Sequence, residues 1–186
     1  MIKPRVISVL YGRICYYALL SPLILILYAC PFSSPYKLDN ESSIPVDETL
    51  LGKWATMLFS KKGNQLPVKM ILTRKNDTEY YIDLTGNFND LKPYRVARND
   101  SIHGSACLSN VGNRQLLSIE IKGQTYIAAI VYNNDTLSLL PLADGFTAKY
   151  IRSNTDLRKA VDVHLRTRLF PKYDEQFCLR GMVRVN

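Results

Sequence analysis

Val68-Lys69-Met70-Ile71-Leu72-Thr73 and, beyond Arg74-Lys75-Asn76-Asp77-Thr78, Glu79-Tyr80-Tyr81-Ile82-Asp83-Leu84 form the stretch that decides the fold. Val68, Met70 and Leu72 share one face of an extended chain, and Tyr80, Ile82 and Leu84 share one face of the next. Period two on both arms of a short polar turn reads as a half-buried antiparallel hairpin. Asn and Asp suit that turn because they tolerate the left-handed conformation and bond back to their own backbone. Similar turns are expected at Asn99-Asp100-Ser101 and Asn134-Asp135-Thr136. Further strands follow: Leu117, Ile119 and Ile121 face away from Ser118, Glu120 and Lys122, and Leu137 and Leu139 face away from Thr136 and Ser138. Tyr94–Arg98 and Ile102–Leu108 are weaker strand candidates. Between Gly123-Gln124 and Asn134, the run Tyr126 to Tyr132 is apolar on both faces, which calls for a strand covered on both sides, by a helix outside or by a closed barrel. The whole is a mainly β meander.

One helix interrupts it. Ser153 with Asp156 three residues on has the form of a capping box, and Leu157, Val161, Leu165 and Leu169 then recur at helical spacing until Pro171. Arg158, Lys159, Asp162 and Arg166 fall on the polar side. Phe177–Val185 alternates again and is expected to close the sheet, with Phe177, Leu179, Val183 and Val185 on one face and Cys178, Arg180, Met182 and Arg184 on the other.

Ahead of the meander lies a segment of another kind. Ile14 to Ala29 is an apolar run with Lys3, Arg5 and Arg13 before it and no acidic residue in it, the layout of a secretory signal peptide. At 16 residues, with Pro22 inside, it is short of the roughly 20 apolar residues needed to span hydrocarbon. Its last residues, Leu27-Tyr28-Ala29-Cys30, resemble a bacterial lipobox. That resemblance implies cleavage before Cys30 and acylation of its thiol, which makes membrane lipid the first partner. Residues 1–29 are then a signal peptide, 30–48 a flexible tether rich in Pro and Ser, and 49–186 the folded domain. Surface-exposed lipoproteins of the Bacteroidetes resemble one another in carrying acids close behind this cysteine. Pro31-Phe32-Ser33 carries none, which points to the periplasm.

Loss of residues 1–29 removes three of the 24 Lys and Arg and none of the 16 acids, and leaves 157 residues with a charge of +5. That length suffices for one domain with a proper core. The mild positive excess fits anionic head groups or envelope polymers, and nucleic acid is not an expected partner. Cys107 and Cys178 are either a disulfide pair in an oxidising compartment or two separate buried thiols.

The domain opens Leu50-Leu51-Gly52-Lys53-Trp54, and Gly52-x-Trp54 ahead of a run of strands resembles the first motif of lipocalins. That family's second and third motifs have no clear copy here. The resemblance implies an eight-stranded up-and-down barrel with one helix before the last strand. It also implies that Trp54 plugs the closed end beneath a late-strand arginine, with Arg152, Arg180 and Arg184 as candidates. An interior lined by Met70, Tyr80, Ile82, Leu117, Ile119 and Tyr126 would then hold a small apolar or amphipathic ligand. The alternative is a filled core whose outer surface, including Arg158, Lys159 and Arg166, meets another envelope protein.

Signatures of catalysis are sparse. His103 stands four residues before Cys107, the one pairing that suggests a nucleophile, and His164 sits on the helix as a boundary residue. No His, Cys or carboxylate cluster has metal-ligand spacing, no glycine-rich phosphate loop is present, and no cofactor is expected. Asp100-Ser101-Ile102 and Asp135-Thr136-Leu137 resemble the acceptor motif for O-glycosylation in exported Bacteroidetes proteins. The expectation is a non-enzymatic, membrane-anchored envelope lipoprotein.

Overall fold

A computed structural model describes residues 32–59, 65–86, 101–133, 135–143, 151–167 and 171–185. Cys30, the signal segment, the Tyr94–Arg98 candidate strand, Asn99-Asp100 and Leu169 lie outside the described residues. Eight antiparallel strands close on themselves: β2 (Gly52–Phe59), β3 (Gln65–Arg74), β4 (Glu79–Gly86), β5 (Ser101–Val111), β6 (Arg114–Ile121), β7 (Gln124–Asn133), β8 (Thr136–Pro141) and β9 (Leu179–Val185). Each pairs with the next, and β9 pairs back with β2. A two-residue strand, β1 (Ser33–Ser34), adds to the edge of β7, and helix α1 (Asn154–Arg166) precedes β9. This is a closed eight-stranded up-and-down barrel, consistent with the lipocalin-like plan that the resemblance implied, and closure leaves its main strands without a free edge.

The hairpin Val68–Leu84 forms as read, with Leu72 opposite Ile82 and Met70 opposite Leu84. Its turn is held by Asn76, whose side-chain oxygen accepts from Thr78 N at 2.9 Å and Glu79 N at 2.8 Å. Asp135, at φ 62°, takes the left-handed turn position before β8. Strand β7 meets both coverings that its two apolar faces called for. Ala128 and Ile130 belong to the barrel interior, while Ile127 and Ala129 pack outside with Leu157, Val161 and Leu165 of α1. Ser153 caps α1 by accepting from Asp156 N at 3.1 Å. The helix ends at Arg166, five residues ahead of Pro171, where Thr167 N donates to His164 O and Val163 O.

Two expectations need correction. Residues 32–47 are not a tether: Phe32 N donates to Leu142 O, Ser33 and Ser34 pair with Tyr126 and Thr125, and Leu38 is buried beside α1. Lys37 pairs with Glu120 at 2.6 Å, Asp39 with Arg158 at 2.5 Å, and Val46 N donates to Asp77 O. The segment is a strap laid across the barrel wall. Its scattered apolar residues have no period because it follows neither helix nor alternating strand, so each is buried by a different neighbour.

The faces of β9 are also rearranged. Leu179 opposes Leu139 and Met182 opposes Leu137, so three steps on β9 match two on β8. This is a β-bulge, and Gly181 at φ +56° sits in it with open space around its α-carbon, so the requirement is conformational. The extra residue turns Leu179 and Met182 both inward and leaves Val183 exposed.

Candidate functional site

One end of the barrel is sealed by the Gly52-x-Trp54 motif. Trp54 is wholly buried, and its Nε1 donates to Leu50 O at 2.9 Å. Leu50 belongs to a single 3₁₀ turn, Glu48–Leu50, started by Asp47, whose carboxylate accepts from Thr49 N at 2.9 Å and from Thr49 Oγ1 at 2.7 Å. Asp47 N in turn donates to the Tyr80 hydroxyl oxygen at 2.6 Å, which ties the turn to the barrel interior. Of the three candidate arginines, Arg184 covers the ring: its Cζ lies 4.6 Å from the Trp54 ring centroid. Its two terminal nitrogens donate to Leu51 O and Thr49 O, each at 2.8 Å. A cation over an indole face contributes about 1 kcal/mol at a partly exposed site, and here it also satisfies one carbonyl of the 3₁₀ turn and that of the residue capping it. The edge of Tyr132 completes the plug, with ring centroids 6.1 Å apart.

Gly52 is part of this device. Its φ of +130° is one that side chains rarely adopt, and an added Cβ would stand 2.9 Å from an Arg184 guanidinium nitrogen. The glycine admits the arginine, and the arginine reaches the tryptophan.

Five of the six proposed lining residues lie behind this plug. Met70, Tyr80 and Leu117 are 0 % exposed, Ile82 1 % and Ile119 5 %, all within one cluster with Trp54, Leu72, Leu137 and Met182. A side chain lining a ligand-sized cavity keeps surface accessible to a water-sized sphere, so these five are packing residues. Burial pushes the Tyr80 hydroxyl above the usual phenol range, and the Tyr126 hydroxyl likewise. Tyr126 differs in position. It stands at the opposite end, where β6 turns into β7 at Lys122-Gly123, and with Leu84 and Ile121 it is only half-buried against the core. These three mark the barrel end opposite the plug.

A second, polar recess lies on the outer wall beneath the strap, lined by Lys37, Glu79, Ser105, Cys107, Ser118, Glu120 and Thr125 among others. Its volume of about 10 Å³ admits one water at most. The Ser118 hydroxyl is buried there without a partner. The Lys37 ammonium is pushed above its ordinary range by its bond to Glu120, and Glu79 is held below the usual carboxylate range by its bond to Lys75.

The cysteines remain two separate buried thiols. Cys107 lies on β5 and Cys178 one residue before β9, and four ladders separate those strands in either direction around the barrel. At about 4.8 Å per ladder this is far beyond the roughly 7 Å Cα separation that a disulfide bridges. Burial raises both thiols, Cys178 to about 11. His103 does not meet Cys107 either. Four residues of strand hold them roughly 13 Å apart, and His103 Nδ1 instead contacts Asp83 Oδ1 at 2.5 Å on the exposed wall. His164, read as a boundary residue, is buried, with Nε2 2.9 Å from Lys172 O. Arg158, placed on the outer surface by helical spacing, is partly exposed there and donates to Asp39 and the Asn110 carbonyl.

Among the described residues no group of three His, Cys, Asp or Glu could hold a metal ion, and no helix is long and apolar enough to cross a membrane. The parts of the plug hidden from sequence reasoning were Gly52 as arginine gate and Asp47 as turn initiator. Asp47-Glu48-Thr49, an acceptor two residues before a donor, was the available signal for the second. Comparison of the chain with protein-family models, curated proteins and solved structures finds no match.

Proposed function

We propose that this chain is an acylated, non-enzymatic envelope lipoprotein, anchored through Cys30 and facing the periplasm, whose barrel holds a small apolar or amphipathic molecule at its mouth. The observation that carries this reading is the half-buried apolar set Leu84, Ile121 and Tyr126 at the barrel end opposite Trp54, beside the buried Leu58, Leu66 and Leu179. Among the described residues, those behind the plug are packed against one another. At the mouth, apolar walls with incomplete covering suit an acyl or ring-bearing molecule whose polar end stays in water. The filled lower half favours a second reading, an interaction protein whose partner is another envelope component. Native mass spectrometry of the protein purified from its own membrane tests both. Retained small-molecule mass together with two acyl chains supports the first; acylated protein that carries no such mass, and that fails to bind the fluorescent apolar probe anilinonaphthalene sulfonate competitively with fatty acid, overturns it in favour of the second.

A further inference from the structure

The proposed anchor and the folded strap are almost contiguous, and this fixes which side of the barrel looks at the bilayer. Phe32 is buried, its amide is bonded to Leu142 O, and Ser33 is already in the ladder opposite Tyr126. Only Pro31 separates Phe32 from Cys30. Two residue steps reach at most about 7 Å, so an acylated Cys30 holds the barrel wall against the membrane surface.

The ground around that point is continuous through three bonds. Leu142 receives Phe32; the next residue, Ala143, donates from its amide to Lys172 O; the same carbonyl accepts from His164 in the last turn of α1. That turn carries Val163, a large apolar side chain 66 % exposed, and the exposed Arg166, with the exposed Lys159 one turn earlier. Asp162 takes up Arg166 at 2.9 Å, so among the described residues Lys159 and Lys172 supply the net positive charge next to Val163, with Asp156 two turns earlier on the same helix face.

We propose that this face, the C-terminal half of α1 with Lys172, rests on the bilayer that holds the anchor, with Val163 among the head groups and Lys159 and Lys172 against anionic lipid phosphate. The proposal rests on acylation of Cys30. It also explains why the chain needs no free tether. Each lysine near an anionic surface favours the docked orientation about five-fold at moderate salt.

The full acylated chain in nanodiscs of phosphatidylcholine, with or without phosphatidylglycerol, tests this. A polarity-sensitive fluorophore is placed at Val163→Cys or at Lys69→Cys, the latter on β3 at the opposite side of the barrel, and quenching by head-group-labelled lipid is read. Stronger quenching at position 163 than at 69, growing with phosphatidylglycerol and reduced several-fold by Lys159→Glu with Lys172→Glu, is the expected result. Equal quenching at the two positions in protein whose mass shows the acyl chains overturns the orientation alone. Protein whose mass lacks acyl chains overturns the anchor reading and the orientation with it.

Discussion

The barrel interior and the layer outside its wall are both apolar, and they are built on opposite logics. Inside, the strands other than the bulged β9 contribute alternate residues, so Leu66, Val68, Met70 and Leu72 or Tyr80 and Ile82 enter one cluster by period alone, and a single ring, Trp54, finishes it. Outside, one helix and one aperiodic strap meet the wall of β5 to β8, so Leu157, Val161 and Leu165 share a cluster with Phe32, Leu38, Leu140 and Leu142 from distant parts of the chain. The inner core is closed by the ladder itself. The outer one depends on α1 and the strap holding each other, through Arg158 and Asp39, as well as the wall. The contrast teaches that one sheet can serve two cores, one closed by its own ladder and one by the elements that pack on it.

The sharpest way to break that contrast is at the plug. Trp54→Ala is expected to cost about 3–5 kcal/mol, read by chemical denaturation, and to speed hydrogen exchange in all eight strands together. Leu157→Ala should cost about 2–4 kcal/mol but release α1 and residues 32–39 first; uniform acceleration across barrel and strap would make the two cores one unit. Gly52→Ala, which both strains a left-handed backbone and crowds Arg184, is expected to cost roughly 1–3 kcal/mol, and since the strain is in the backbone, Arg184→Ala added to it recovers only the smaller, crowding share. A double-mutant cycle on Arg158 and Asp39 should give a coupling of about 0.5–1 kcal/mol, because both side chains retain solvent access. The smallest effect belongs to pH. Lys37 is raised in the folded state, so the contribution of its bond to Glu120 is complete below the unfolded value of 10.5 and fades as pH rises through the folded one. The strap amides should therefore exchange faster than the barrel amides correct for in strongly alkaline solution; equal behaviour would place the strap's hold elsewhere.

How much was legible varies by residue. Val68–Leu84 could be read outright, because a hairpin's faces follow from its own alternation and its turn from Asn76 and Asp77. The two-sided burial of β7 was visible in Tyr126–Tyr132, although which covering lay on which face was not. The inward turn of Met182 was hidden, since a bulge at Gly181 changes phase without changing composition. Arg184 could not be separated from Arg152 and Arg180 until β9 stood beside β2 and brought Arg184 opposite Trp54. The unequal burial of the expected lining was hidden for a similar reason: Met70 and Tyr80 share a face with Leu84, and only position along the barrel distinguishes them.

By itself the amino-acid order determined a mainly β chain, its antiparallel pairing, the capped helix and the aromatic at the first strand, because side-chain periodicity and turn chemistry act between near neighbours. Tertiary structure alone decided that residues 32–47 lie on the wall, that the two thiols stand across the barrel from each other, and which arginine seals its end. Those outcomes depend on which strands closure brings together, and closure is a property of the whole ladder that no local stretch contains.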